Sequence, residues 1–147
     1  MTQRGHFVDE NAASQQELRT LVAGLSDDDL QIEIGAGWTV AAFLAHMAFY
    51  DFRAAAAVDR WRSDSEINPF PLDAQLTNAA MEKLLLAIPP RAAARLVLEA
   101  AEAADSAVAG LTDELLARIA VSNRSVNMFR SVHRREHLEQ IAGALKK

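Results

Sequence analysis

Four histidines stand in this chain of 147 residues: His6, His46, His133 and His137. Two of them, His133 and His137, lie four positions apart in the run Ser131-Val-His-Arg-Arg-Glu-His-Leu-Glu139. On a helix, residues i and i+4 share a face with Cβ atoms about 5–6 Å apart. Two imidazoles so placed can reach one transition metal at about 2.0–2.1 Å. At about 100° per residue, Val126, Phe129, His133, His137, Ile141 and Ala144 form one stripe, with Arg135, Glu139 and Lys146 opposite. The pair is therefore expected to face a core. The same wheel groups His46 with Thr39, Ala42, Phe43, Tyr50 and Arg53, so it too is expected to point inward. Three inward histidines from two helices could meet at one point, which is how helix bundles build metal sites. Residue type alone leaves a second reading open, in which each imidazole is a hydrogen-bonded core side chain. His6 lies near the terminus and is expected to play no part.

Other constellations fail on their spacing. The run His133-Arg-Arg-Glu-His137 carries Arg134 where the zinc-protease motif needs its general base. No Glu-x-x-His occurs, which argues against a ferritin-like di-iron site. Gly35-Ala-Gly37 lacks a third glycine and a parallel-sheet context, so it reads as a turn rather than a dinucleotide loop. Neither a Gly-x-Ser-x-Gly elbow nor a phosphate-binding Gly-Lys-Ser/Thr loop is present.

These side chains need helices to hold them, and the sequence supplies them. Alanine is abundant, and the six glycines and four prolines fall mostly between periodic segments. A first helix is expected over about residues 9–23, burying Leu18, Leu21 and Val22, with Leu25 on the same side. Ser26 followed by three aspartates reads as an N-cap with acids in the first turn of a short helix. Thr39 is a good N-cap for a second long helix reaching about residue 62. Residues 63–71, with Asn68-Pro-Phe-Pro71, form a loop. A third helical region over 73–110 must be interrupted at Pro89-Pro90. Thr112 opens another short helix, and a last one is expected over about 124–145. Four long helices without a repeat or a linker predict an all-α four-helix bundle forming one domain over residues 1–147.

Composition agrees with that expectation. Half of the residues are hydrophobic and 24% are charged, the balance of a globular protein. Fifteen Lys and Arg against twenty Asp and Glu give a net charge of -5, which lacks the field that draws in nucleic acid or an anionic membrane. The basic side chains Arg124, Arg130, Arg134, Arg135, Lys146 and Lys147 spread around the last helix without aromatic platforms. They are expected to be a solvated face, with the acidic first third of the chain available to pair with them. No cysteine is present, which removes disulfides, thiolate-ligated metals and thiol nucleophiles. The first ten residues lack an apolar run, so no secretory signal is read and cytoplasmic residence is expected.

One resemblance draws these observations together. The segment Gly37-Trp-Thr-Val-Ala-Ala-Phe-Leu-Ala-His46, followed by His133-x-x-x-His137 on the last helix, resembles the DinB/YfiT superfamily. That group includes the metal-binding domain of mycothiol-dependent maleylpyruvate isomerase. The resemblance implies a four-helix bundle with His46, His133 and His137 as the three ligands of one divalent metal. Neutral imidazoles suit zinc, nickel, copper or iron(II), with zinc or nickel favoured here. It further implies a small-molecule substrate, a homodimer and a transferase or isomerase that uses a low-molecular-weight thiol. Metal-dependent hydrolysis and a non-catalytic metal- or ligand-binding stress protein are the alternatives. Tyr50 and Arg53 follow His46 by one and two turns on its face. They are the candidate substrate-binding side chains, as hydroxyl donor and anion clamp, against a plainer role in core and rim. No dedicated catalytic base is identified.

Overall fold

The computed structural model describes residues 2–122 and 126–146. Of these, 77% are helical, so the all-α expectation holds. Four long helices, α1 (Gln3–Ala23), α3 (Val40–Ser63), α5 (Pro90–Ala109) and α7 (Arg130–Leu145), make the frame. The shorter α2 (Asp27–Leu30), α4 (Ala74–Ala87) and α6 (Asp113–Ser122) join them, with a hairpin of β1 (Glu33–Gly35) and β2 (Trp38–Thr39). Helix α1 packs on α5 and α7, and α3 packs on the same two, so the long helices close a ring in the order α1–α5–α3–α7. No helix among the described residues is long and apolar enough to cross a membrane.

Local chemistry sets most of the boundaries. Thr39 Oγ1 accepts from the Ala42 amide at 3.1 Å and starts α3 where the sequence places it. Ser26 and Asp29 form a reciprocal capping box around α2. Pro90 occupies the first turn of α5, where its missing N–H costs nothing. Thr112 Oγ1 accepts from the Leu115 amide at 3.0 Å and caps α6. Two starts differ from expectation. Helix α1 begins at Gln3 rather than near residue 9, because Thr2 already caps it through the Gly5 amide at 3.0 Å.

Helix α7 begins at Arg130 rather than near residue 124, and residues 123–125, Arg124 among them, lie outside the described residues. Asn127 Oδ1 accepts from the Phe129 amide at 2.8 Å, a local turn that competes with helix. The cap itself comes from across the bundle: Asn11 Oδ1 of α1 accepts from the Ser131 amide at 3.1 Å. Val126 and Phe129 therefore precede the helix, although Val126 is still buried.

The core has two apolar halves. One gathers Leu18, Leu44, Met47, Val97 and Ile141; the other gathers Val58, Trp61, Val108 and Ile119. Alanines run along the α3–α5 seam in both, Ala41, Ala45 and Ala101 in one and Ala54 and Ala104 in the other. Side chains this small let two helix backbones approach closely.

Between the halves lies a buried polar layer. Arg134 is fully buried and Arg130 is 5% exposed, which overturns the expectation that both belong to a solvated basic face. Arg130 Nε donates to Asp51 Oδ1 at 2.7 Å and Arg134 Nε donates to Asp51 Oδ2 at 3.1 Å. The remaining Arg134 nitrogens reach Asp105 at 2.7 and 2.9 Å, and also the Ser14 hydroxyl and the Asn11 and Ala101 carbonyls. Two cations and two anions thus balance inside one layer that touches all four long helices. Arg135 behaves as expected of a surface charge, pairing with Glu10 at 2.7 Å and Glu17 at 3.2 Å on α1.

Candidate metal centre

Helix α3 carries His46 two turns past the Thr39 cap, and the adjacent α7 carries His133 and His137 one turn apart. Their Nε2 atoms converge. His137 Nε2 is 3.2 Å from His46 Nε2 and 3.2 Å from His133 Nε2, and all three ligand nitrogens lie within 4.8 Å of one another. A tetrahedral ion bonded at about 2.05 Å holds its ligand nitrogens about 3.3 Å apart, which matches the two 3.2 Å separations, and binding would draw His46 and His133 closer together. This three-His group could hold a metal ion.

Proton counting makes the same point. His137 Nδ1 donates to Gln140 Oε1 at 2.6 Å, which fixes its proton there and leaves Nε2 as a bare lone pair. The Nδ1 atoms of His46 and His133 are buried without a partner. As hydrogen-bonded core residues, those two rings would both have to donate from Nε2 to the single His137 lone pair, which can serve only one of them. A cation at the convergence point would use all three Nε2 lone pairs, with the Nδ1 protons of His46 and His133 left without an acceptor among the described residues. Burial first, then the neighbouring His137, lowers the His46 pKa to about 4. Burial first, then the surrounding His137, Arg130, His46 and Arg134, lowers that of His133 to about 2. Both rings are neutral near pH 7, the form in which imidazole binds metals.

Beside His46 and His137 lies a pocket of about 260 Å³ lined also by Gly35, Ala36, Trp38, Phe43 and Asn78. The hairpin that walls it turns through Ala36 at φ +52° and Gly37 at φ +83°, the two positive φ values of a primed two-residue turn. This is the break expected at Ile34-Gly-Ala-Gly37; the two strands are too short to have shown in the sequence. Trp38 Nε1 donates to Glu82 Oε1 at 3.0 Å, and the indole meets Phe43 and His46 edge-on, each at 5.7 Å between centroids.

A profile of the DinB superfamily matches residues 10–141, a stretch that holds all three histidines. The chain belongs to the DinB superfamily. No curated protein and no solved structure matches it.

In this DinB chain, Tyr50 packs against the three histidines but is not among the residues that line their pocket. Its ring centroid is 5.0 Å from that of His46 and 5.3 Å from that of His133. Burial raises its pKa, so the phenol keeps its proton, and the hydroxyl donates to Asn78 Oδ1 at 3.0 Å. Arg53 is not among the residues that line the histidine pocket. Its guanidinium donates to the Phe70 carbonyl and borders a separate hollow with Ala56, Arg60 and Phe70. His6 is exposed and edge-on to Phe129 at 5.2 Å, apart from the tripod as expected. Sequence reasoning missed Gln140, Asn78 and Glu82. Gln140 carried a signal, its position three residues after His137 on the same helix. Asn78 and Glu82 carried none, because only the packing of α4 on α3 brings them to the site.

Proposed function

We propose that His46, His133 and His137 hold one divalent transition metal, zinc or nickel, through Nε2, and that the adjoining pocket serves a transferase or isomerase using a low-molecular-weight thiol. The observation behind the metal is the convergence of three Nε2 atoms with too few protons and acceptors to satisfy one another. Three protein ligands leave coordination positions open, as in catalytic rather than structural sites. A bound divalent metal there would supply Lewis-acid polarisation and lower the pKa of a coordinated thiol or water.

The protein's own side chains favour the thiol. Trp38 and Phe43 offer an apolar wall that excludes water and suits a sulfur or hydrocarbon body. No carboxylate is among the described residues lining the pocket, so hydrolysis there would depend on metal-bound water as its own nucleophile. Tyr50, wedged against His46 and His133, fixes the inner edge of the site.

Elemental analysis of untagged protein purified without added metal tests the tripod. About one zinc or nickel per chain is expected, lost in His46→Ala and His133→Ala and kept in His6→Ala. Equal metal in all four proteins, or none even after added zinc, would overturn the assignment. Titrating the cobalt-loaded protein with 2-mercaptoethanol then tests the open position: a new sulfur-to-metal charge-transfer band is expected. Its absence with cobalt bound would remove the thiol chemistry and leave metal-dependent hydrolysis or a non-catalytic metal protein.

A further inference from the structure

Helix α4 contributes more than cover. Asn78 and Glu82 are four residues apart on it and so share a face. Glu82 Oε1 accepts a hydrogen bond from the Trp38 indole N–H, which holds one aromatic wall of the histidine pocket in place. Asn78 lines the same pocket directly and is half-buried.

The Asn78 amide has a defined orientation. The Tyr50 hydroxyl is the donor in its bond to Asn78 Oδ1, and no other acceptor for that proton is found among the described residues. Turning the amide over would make the phenol accept from Nδ2 and leave its own proton without a home. With Oδ1 taken, the Nδ2 protons have no protein acceptor among the described residues and stand at a pocket wall. An amide donor beside an aromatic wall and a candidate metal is a recognition element for an oxygen acceptor.

We infer that Asn78 is a substrate-binding residue, donating from Nδ2 to a carbonyl or carboxylate oxygen of a small molecule whose apolar body lies against Trp38 and Phe43. The inference rests on the reading of the tripod and pocket as a ligand site, and it adds the class of substrate. Tyr50 acts through Asn78 as a positioning residue, since its proton decides which end of the amide faces the ligand. Glu82 positions the indole in the same way.

Two probes that share a phenyl body separate this role from mere shape. Benzoate brings two acceptor oxygens; phenylmethanethiol brings one sulfur, a poor acceptor. Binding of each to zinc-loaded protein is measured by calorimetry, with zinc content determined on the same samples. Asn78→Ala is expected to weaken benzoate about tenfold, the loss of one charge-assisted hydrogen bond, and to change phenylmethanethiol less than about twofold. Tyr50→Phe, which releases the amide without removing it, should weaken benzoate by about threefold and leave circular dichroism unchanged. Equal loss of both probes in Asn78→Ala would make Asn78 a wall and overturn the inference, as would unchanged benzoate affinity or a wild-type protein that binds neither. Wild-type protein without zinc overturns the metal reading alone: benzoate binding to the metal-free protein that falls in Asn78→Ala would still uphold the assignment, and binding that does not fall would overturn it.

Discussion

Arg134 Nε lies 3.1 Å from Asp51 Oδ2, and neither side chain reaches solvent by more than 1%. Asp51 is five residues beyond His46 on α3, and Arg134 is the immediate neighbour of His133 on α7. The ion pair therefore sets the rotation of both histidine-bearing helices about the seam they share. A misturned α7 would swing His133 and His137 away from His46 and strand a buried cation at the same time.

The pair should be costly to break from one side. Arg134→Met leaves Asp51 with only Arg130 and Asp105 without its main partner, a loss of about 3–5 kcal/mol. Thermal melting followed by circular dichroism should show a midpoint lower by roughly 10 °C. A shift of only a degree or two would mean that the layer is already wet.

Acid should destabilise the metal-free protein. Burial holds His46 near pKa 4 and His133 near 2, while the unfolded chain takes up these protons near 6.5. Between about pH 6.5 and 4 the unfolded state therefore binds more protons, so stability falls as pH falls through that window. Urea midpoints at pH 7.5, 6.5 and 5.5 should decline with a dependence approaching two protons, reduced by about one in His46→Gln. Midpoints that stay level to pH 5.5 would contradict the burial of these rings.

Gln140 should tune metal affinity without touching the fold. Its carbonyl takes the Nδ1 proton of His137, orienting the ring and enriching Nε2, whereas His46 and His133 have no such partner. Gln140→Ala is expected to weaken zinc about tenfold in a chelator competition, with an unchanged melting temperature for the metal-free protein. Gln140→Glu should tighten it. The same affinity in all three proteins would show that His137 needs no orienting partner.

The pocket hairpin contains a correctable strain. Ala36 sits at φ +52°, where an L side chain crowds its own carbonyl. Ala36→Gly should raise stability by about 1 kcal/mol, and Gly37→Ala should lower it by at least as much. Denaturant melts of the two variants check both signs.

Much of this molecule was legible one turn at a time. The Thr39 cap, the Ser26 cap and the break at Pro89-Pro90 are local statements, and the structure bears them out, whereas His133 and His137 are half-buried beside a buried face of Arg130, Ser131, Arg134 and Ile141. What the sequence hid was set at long range. Arg130 and Arg134 look like solvent charges because nothing nearby neutralises them; Asp51 lies 79 and 83 positions away. The start of α7 was misplaced for the same reason, since Asn11, 120 positions upstream of Ser131, supplies its cap. Asn78 reached the site only through the docking of a neighbouring helix.

His46 and His137 are 91 positions apart along the chain and 3.2 Å apart at Nε2. A metal ion shared between them would be a cross-link closing most of the polypeptide into one loop, in a protein with no cysteine to do so covalently. A permanent link over a loop of about that length removes roughly 4–5 kcal/mol of unfolded-chain entropy. A metal link would be reversible, its strength rising with the logarithm of free metal above the dissociation constant. The resistance of the bundle to unfolding would then follow the metal supply around it.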